Sequence, residues 1–130
     1  MDKKSKQYIV AYARRVFGWS PQYKQCKIKY ELGDKIMFCA GCEQACCKRP
    51  EGYTEEEYKL IPDLINMDYE IDHINPVIKL EGWDDDDWNG FYNRLFVDIN
   101  GLQILCKCCH YLKTRIESDI RREFKNKGYK

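Results

Sequence analysis

Two cysteine pairs of the form Cys-x-x-Cys most constrain what this 130-residue chain can fold into. Cys39 and Cys42 form the first pair, Cys106 and Cys109 form the second, and 63 residues lie between the pairs. Two such pairs supply the four thiolates of a tetrahedral structural zinc site, because a two-residue spacer lets both sulfurs face one ion. The spacing therefore predicts that these distant segments meet around a structural Zn²⁺.

The eight cysteines of the chain leave other interpretations of these pairs open. One is a set of free buried thiols, and another is a redox-active pair, although a thioredoxin-like pair needs a βαβ context that the flanking segments do not show. Cys26 is predicted to be a packed thiol inside a helix. Cys46, Cys47 and Cys108 are interpreted as packing or bystander residues, with Cys46 as the first substitute ligand.

The hydropathy of the chain predicts a soluble, cytoplasmic protein with no membrane partner. No apolar run approaches the roughly 20 residues that cross a bilayer, and no apolar signal core follows the lysine-rich start MDKKSK. The length fits one domain with a modest core, which a bound metal would help to stabilise.

The net charge of +1 hides a division of charge along the chain. Residues 1–30 carry eight Lys and Arg against one acid, and residues 101–130 carry eight against three. Residues 51–99 carry fourteen acids against three bases. Two basic ends around an acidic middle predict a phosphate-binding face.

Periodicity and turn residues predict both helices and strands. In chain order the predicted elements are a helix over KKSKQYIVAYARRVFGWS, a second helix from the Ser20-Pro21 cap to Gly33, a zinc-knuckle turn at Ala40-Gly41, a short acidic helix with Thr54 and Glu57 as a capping box, a strand in YEIDHINPV ending near Pro76, a short helix in FYNRLF, a strand in LQILC and a final helix from Lys107 to Gly128.

Four motifs occur in a specific order: FCAGC at 38–42, DHINPV at 72–77, WNGFYNRLF at 88–96 and LQILCKCCHYLKT at 102–114, with Glu117 beyond. Over residues 38–117 the chain resembles the HNH endonucleases of the ββα-metal fold, particularly the small phage-type members. The resemblance implies an α+β fold: a small ββα-metal core with a four-cysteine structural zinc, flanked by N-terminal helices and a long C-terminal helix. It implies a single nuclease domain over 1–130, divided into a basic helical part (1–37), the core (38–117) and a basic helix end (118–130).

The resemblance also implies a role for each matched residue. Asp72 and His110 would hold a catalytic divalent cation such as Mg²⁺ or Mn²⁺, and His73 would be the general base. One metal and one imidazole suffice to activate water and stabilise the charge that develops on a phosphodiester. On the final helix, Lys113 and Glu117 share a face with His110. Lys113 is expected to contact phosphate and Glu117 to support the ligands, with a surface ion pair as the alternative.

The chain departs from the family pattern at three places. Gly101 stands where the family has its asparagine, so Asn100 takes this catalytic role only if the loop shifts by one residue, which the backbone freedom of Gly101 would allow. Between Cys42 and Asp72 lie 29 residues that include the acidic segment 51–70. The run from Asp84 to Asp87 is interpreted as a solvated loop, and the alternatives are repulsion of DNA from one side or weak binding of a second cation.

Adjacent residues of a strand point to opposite faces, so Asp72 and His73 cannot both face one site from a regular strand. We therefore predict a break near His73, supplied by Pro76 or by a β-bulge.

These observations predict a metal-dependent DNA endonuclease. Phosphate contacts from both basic ends would grip the duplex with little sequence readout. The named contacts are Arg14, Arg15, Arg121 and Arg122. The resemblance to phage members implies phage DNA processing or packaging in the host cytoplasm, beside a terminase or another DNA-processing protein. The alternative is a non-catalytic zinc-binding module for nucleic acid or a protein partner, and a thiol-redox protein is a third class.

Overall fold

The computed structural model describes residues 2–33, 35–48, 54, 56–57, 68–83 and 87–128. In chain order the elements are α1 (Lys3–Phe17), α2 (Pro21–Tyr30), β1 (Glu31–Gly33), β2 (Ile36–Phe38), β3 (Ala45–Cys46), β4 (Tyr69–His73), α3 (Trp88–Leu95), a 3₁₀ turn (Ile99–Gly101), β5 (Leu102–Cys106) and α4 (Lys107–Asn126). Helices and small antiparallel sheets together confirm the α+β class.

Side-chain caps set where the first two helices begin. The Asp2 carboxylate accepts a hydrogen bond from the Ser5 N–H at 2.7 Å, and the Ser20 hydroxyl accepts one from the Tyr23 N–H at 3.3 Å. Pro21 occupies the first turn of α2, where its missing N–H costs nothing. The predicted start of α2 is therefore confirmed.

The predicted end of α2 at Gly33 is wrong. The helix ends at Tyr30, and Glu31–Gly33 forms a strand that pairs with β2. Gly33 has a φ of +134° and Lys35 a φ of +66°, so the chain reverses here in a turn that excludes a helix. The segment 1–37 is thus helical only as far as Tyr30, and its remainder begins the three-stranded antiparallel sheet β1-β2-β3.

The second sheet is the antiparallel pair β4-β5. Its register runs without a shift from Tyr69 opposite Cys106 to His73 opposite Leu102. The predicted bulge near His73 is therefore wrong. The strand does end at His73, three residues before Pro76, and the Ile74 N–H then donates to the Gly101 carbonyl at 2.9 Å.

The core lies where α1, α2 and α3 meet the inner strands. Phe91 and Leu95 are one helical turn apart on α3 and fully buried, as are Leu102 and Ile104 of β5. Burial of each such side chain stabilises the fold by about 2 kcal/mol. Cys26 is fully buried in this core, and burial raises its pKa to about 11, which confirms the predicted packed thiol.

By contrast, α4 contains no buried residue and begins directly after β5. In the described part of the chain, no helix combines the length and the apolar character that a membrane span requires. The Thr54 hydroxyl accepts from the Glu57 N–H at 3.1 Å and the Glu57 carboxylate accepts from the Thr54 N–H at 3.3 Å, which confirms the capping box. The rest of the predicted acidic helix and residues 84–86 lie outside the described residues.

Candidate metal centre and adjoining carboxylate cluster

Cys39, Cys42, Cys106 and Cys109 come together as the spacing predicted. Their sulfur atoms all lie within 4.8 Å of one another, and the Sγ atoms of Cys42 and Cys106 are 3.9 Å apart. Four sulfurs bound to one tetrahedral zinc at about 2.3 Å would be about 3.8 Å apart. The cysteine quartet can therefore hold a metal ion, and its donors and spacing are consistent with a structural zinc.

Backbone contacts bring the first pair onto β5. The Ala40 N–H donates to the Ile104 carbonyl at 2.8 Å, and the Glu43 N–H closes the knuckle on the Cys39 carbonyl at 2.9 Å. A Cβ atom at Gly41 would lie 3.0 Å from the Cys109 sulfur, so the knuckle approaches the second pair as closely as a glycine permits.

The second pair lies at the junction of β5 and α4. Cys106 is the last residue of the strand and also the N-cap of the helix, where its sulfur accepts from the Cys109 N–H at 3.5 Å. Its own N–H donates to the Cys39 sulfur at 3.2 Å. The two pairs are thus joined to each other through backbone groups as well as through the sulfur cluster.

The thiols of the quartet do not ionise equally. Burial raises the pKa of Cys39, but the N–H groups of Cys106, Cys42 and Gly41 outweigh this effect and lower that pKa to about 7. Burial and the neighbouring thiols raise the pKa of Cys109. The protein itself therefore favours a thiolate at Cys39 and disfavours one at Cys109, and a bound cation would favour the thiolate form of its ligands.

The remaining cysteines of this region play no part in the quartet. Cys46 is fully buried, and its thiol points to the Met37 carbonyl at 3.6 Å. Burial raises its pKa to about 12, as expected for a packed thiol. Cys47 is buried and Cys108 is exposed. The interpretation of these three as packing or bystander residues agrees with these positions.

A second polar group, the Asp72 cluster, adjoins the quartet. Asp72 on β4 is only 8% exposed, and α4 places His110, Lys113 and Glu117 beside it. Lys113 Nζ lies 2.8 Å from Asp72 Oδ2 and 3.7 Å from Glu117 Oε2. The helical spacing correctly predicted that these residues share one face, but the Lys113 ammonium contacts the carboxylates and the His73 carbonyl.

The two carboxylate oxygens of Asp72 have different partners. Oδ2 accepts hydrogen bonds from Lys113 Nζ at 2.8 Å and from Gln103 Nε2 at 2.9 Å, whereas Oδ1 lies 3.8 Å from His110 Nε2. Two ligands of an octahedral cation with bonds of about 2.1 Å lie between about 3.0 and 4.2 Å apart. Asp72 Oδ1 and His110 Nε2 therefore fit a shared divalent cation.

Gln103 is a member of this cluster that sequence reasoning missed. It lies directly opposite Asp72 in the β4-β5 register, so its amide reaches the carboxylate across the hairpin. Pairing the two predicted strands in this register would have predicted the contact, because that register places Gln103 opposite Asp72.

The His73 side chain contacts different elements from the Asp72 side chain. Its Nε2 is 2.8 Å from the Leu95 carbonyl, and its ring lies against Phe17 with the ring centroids 4.7 Å apart. A carbonyl only accepts, so Nε2 carries the hydrogen and Nδ1 keeps a lone pair. Burial is the main cause that lowers the pKa of His73 below its ordinary 6.5, and Arg14 and Lys113 lower it further, so the ring is neutral at about pH 7.

Asn100 is the residue predicted to take the place of the asparagine in the HNH pattern. Asn100 is exposed in the 3₁₀ turn, and its N–H donates to the Asp98 carboxylate at 2.9 Å. Gly101 packs so closely on Val97 that an added Cβ would lie 2.5 Å from Val97 Cγ2. The fold therefore needs glycine at this position for packing.

Substituting Gly101→Asn is expected to destabilise the protein by about 1–3 kcal/mol, because the new side chain overlaps Val97. Chemical denaturation monitored by circular dichroism would measure the change. Adding Val97→Ala should recover part of the loss, and a double variant no more stable than the single one would contradict the steric explanation.

The four arginines predicted to contact DNA divide into two pairs. Arg14 lies one helical turn before Phe17, whose ring packs on His73, and Arg121 donates to the Ile78 carbonyl at 2.7 Å. Burial and, after it, the charge of Arg121 lower the pKa of Arg14. Arg15 is exposed on α1. Arg122 forms a surface ion pair with Asp119 at 3.5 Å, with side chains 71% and 62% exposed.

The quartet and the Asp72 cluster meet at the start of α4, where Cys109 belongs to the first and His110 to the second. One helix therefore positions residues of both groups. Comparison of the chain with protein-family models, with curated proteins and with solved structures finds no match.

Proposed function

We propose that the protein is a metal-dependent endonuclease of the HNH type that hydrolyses DNA phosphodiester bonds. The observation that supports this proposal best is the Asp72 cluster, in which a β-hairpin followed directly by a helix brings Asp72 Oδ1 and His110 Nε2 to 3.8 Å. Hairpin and helix in this order are what a ββα-metal core requires. The cysteine quartet, holding a structural zinc, would fix the helix that presents His110.

In this proposal Asp72 and His110 hold the catalytic cation. When bound, a divalent ion such as Mg²⁺ or Mn²⁺ would polarise the scissile phosphate and stabilise the charge that develops on it. Lys113 and Gln103 hold Asp72 Oδ2 by hydrogen bonds and leave Oδ1 to face His110. Lys113 thus orients a ligand, and Glu117 in turn holds Lys113 by an ion pair of 3.7 Å.

His73 is the proposed general base. Its hydrogen bond to the Leu95 carbonyl fixes the tautomer in which Nδ1 can accept a proton from the attacking water. The lowered pKa keeps this nitrogen unprotonated at neutral pH. Regular strand alternation points the His73 ring and the Asp72 carboxylate to opposite faces of β4, so the two can act on one phosphate only if the end of β4 turns when substrate binds.

A plasmid-nicking assay tests the function. Purified protein is incubated with supercoiled plasmid in Mg²⁺, Mn²⁺ or Ni²⁺, with EDTA as the negative control. Wild-type protein should nick in at least one metal, and Asp72→Asn should lose about a hundredfold or more in rate. Asp119→Asn, the same change at an exposed position of α4, should retain full activity. Absence of cleavage in all three metals, both of the plasmid and of a duplex that contains a single-stranded gap, would refute the proposal.

A non-catalytic zinc module that binds nucleic acid or a protein is the second candidate. The contact of 2.8 Å between Lys113 and Asp72 favours it, because an ammonium already neutralises the proposed ligand. Metal-independent binding of DNA with no cleavage would support this candidate over the enzyme.

Substituting Gln103→Leu is expected to weaken Mn²⁺ binding by about 10–100-fold, because Asp72 loses a hydrogen bond that orients it. Isothermal titration calorimetry on zinc-loaded protein would measure the affinity. Asn100→Leu is the matched control and should leave the affinity unchanged, since the residue is exposed in the 3₁₀ turn. If Asn100→Leu weakened Mn²⁺ binding instead, the orienting role would belong to Asn100.

A further inference from the structure

A groove runs along one side of α1. It has a volume of about 470 Å³ and is bounded by α1 and by the loop between β4 and α3. Its lining residues are Lys3, Lys6, Gln7, Val10, Ala11, Arg14, Ile78 and Trp83. This size falls in the range of ligand-binding clefts.

The chemistry of the groove is divided between a floor and a rim. Val10, Ala11, Ile78 and the Trp83 ring form an apolar floor. The rim carries three cations and one amide, and none of the described residues that line the groove is acidic. Lys6 Nζ lies 4.1 Å from the centre of the Trp83 ring. The buried indole N–H of Trp83 has no hydrogen-bond partner among the described residues.

An apolar floor beneath a cationic rim fits an unpaired nucleic-acid strand. Exposed bases offer flat apolar faces, and the phosphates beside them carry negative charge. A continuous duplex presents chiefly phosphates to a protein and hides its base faces in the stack, so it would use the rim and leave the floor idle. The composition of the groove therefore favours a single strand.

The groove also leads to the candidate site. Its rim spans Lys3 to Arg14, about 16 Å along the helix. At the Arg14 end it lies one helical turn from Phe17 of α1, whose ring centroid is 4.7 Å from that of His73. Arg121 borders the groove at Ile78, because it donates to the Ile78 carbonyl at 2.7 Å and Ile78 lines the groove. A strand in the groove would end beside the proposed general base.

We propose that this groove binds an unpaired DNA strand immediately beside the scissile phosphate, so that the substrate is DNA with a single-stranded stretch. The position of the strand beside a scissile phosphate rests on the proposed function, whereas the binding of the strand to the groove does not. Arg14 and Arg121 then contact phosphates, and Arg15 and Arg122 do not.

Fluorescence anisotropy in EDTA tests strand binding without cleavage. The probes are a labelled oligothymidylate and a blunt duplex of equal length, titrated at several salt concentrations. Wild type should bind the single strand more tightly than the duplex. Arg14→Gln should weaken single-strand binding roughly fivefold and reduce the salt slope by about 0.7, while Arg15→Gln changes neither.

A second matched pair tests the groove without removing a cation. Gln7→Glu adds one negative charge inside the groove, and Gln25→Glu adds the same charge on exposed α2. Only Gln7→Glu should weaken binding of the oligothymidylate. Thermal melts of all four variants should match wild type, which excludes unfolding as the cause.

Equal affinity for duplex and single strand, or equal losses within each matched pair, would overturn the proposal. The result is separable from that of the nicking assay. Nicking of plasmid with no preference for single strands would refute the groove alone. Strand binding with no cleavage in any metal, either of plasmid or of a duplex that contains a single-stranded gap, would refute the enzyme alone.

Discussion

Replacing Cys106 by serine is expected to cost the protein its tightly held zinc and its cooperative unfolding transition. Cys106 supplies a sulfur to the quartet at the junction of β5 and α4. Serine can still cap the helix, so the substitution acts through the metal site that ties these two elements to the first cysteine pair. Structural zinc sites contribute about 10–16 kcal/mol of apparent binding free energy, and a domain of this size has a net stability of about 5–15 kcal/mol. Loss of the metal should therefore leave the chain largely unfolded.

Metal analysis after gel filtration, with circular dichroism melts, would measure this result. Wild type should carry about one zinc per chain. Cys108→Ser is the matched control, because it makes the same change two residues away on an exposed thiol outside the quartet, and it should keep both the zinc and the melting transition. A Cys106→Ser protein that retained one zinc per chain would contradict the assignment.

The second large effect is expected from His73→Ala, which should lower the metal-dependent nicking rate by about 10²–10⁴-fold. In the proposed mechanism Nδ1 of His73 takes the proton of the attacking water, because Nε2 already donates its hydrogen to the Leu95 carbonyl. Rates from single-turnover nicking of supercoiled plasmid would measure the loss. An undiminished nicking rate in His73→Ala would contradict the assignment of His73 as the general base.

The pH profile and metal binding provide the controls for this variant. Because burial lowers the pKa of His73 below 6.5, the wild-type rate should be level through neutral pH and fall only at lower pH, as the imidazole becomes protonated. His73→Ala should lack that acid limb in its residual activity. Its Mn²⁺ affinity should match wild type, since Asp72 and His110 remain, and a lost affinity would indicate a structural role for His73.

Spacing within short segments was enough to predict the parts of the site that local geometry determines. Cys-x-x-Cys pairs bring two sulfurs together whatever the rest of the fold does, and the quartet formed as predicted. Likewise, His110, Lys113 and Glu117 share a face because helical periodicity requires it. The start of α2 at Ser20-Pro21 followed from capping chemistry alone.

Contacts that depend on strand register or on tertiary packing were not predicted. Gln103 meets Asp72 only because β4 and β5 pair in one particular register. Lys113 was expected to contact phosphate, but the packing of α4 on the hairpin places its ammonium on the Asp72 carboxylate. The strand Glu31–Gly33 was missed because its residues continue a helical pattern, and pairing with β2 overrides that preference.

The direct passage from β5 into α4 limits how the sequence of this protein can vary in length. No loop residue separates strand from helix, since Leu102–Cys106 is followed at once by Lys107. Inserting one residue between Cys106 and His110 would rotate the rest of α4 by about 100° and move it about 1.5 Å along its axis. Such an insertion would take His110 and Lys113 away from Asp72 together. Descendants of this sequence should therefore keep the interval from Cys106 to His110 fixed, even where the residues between them change.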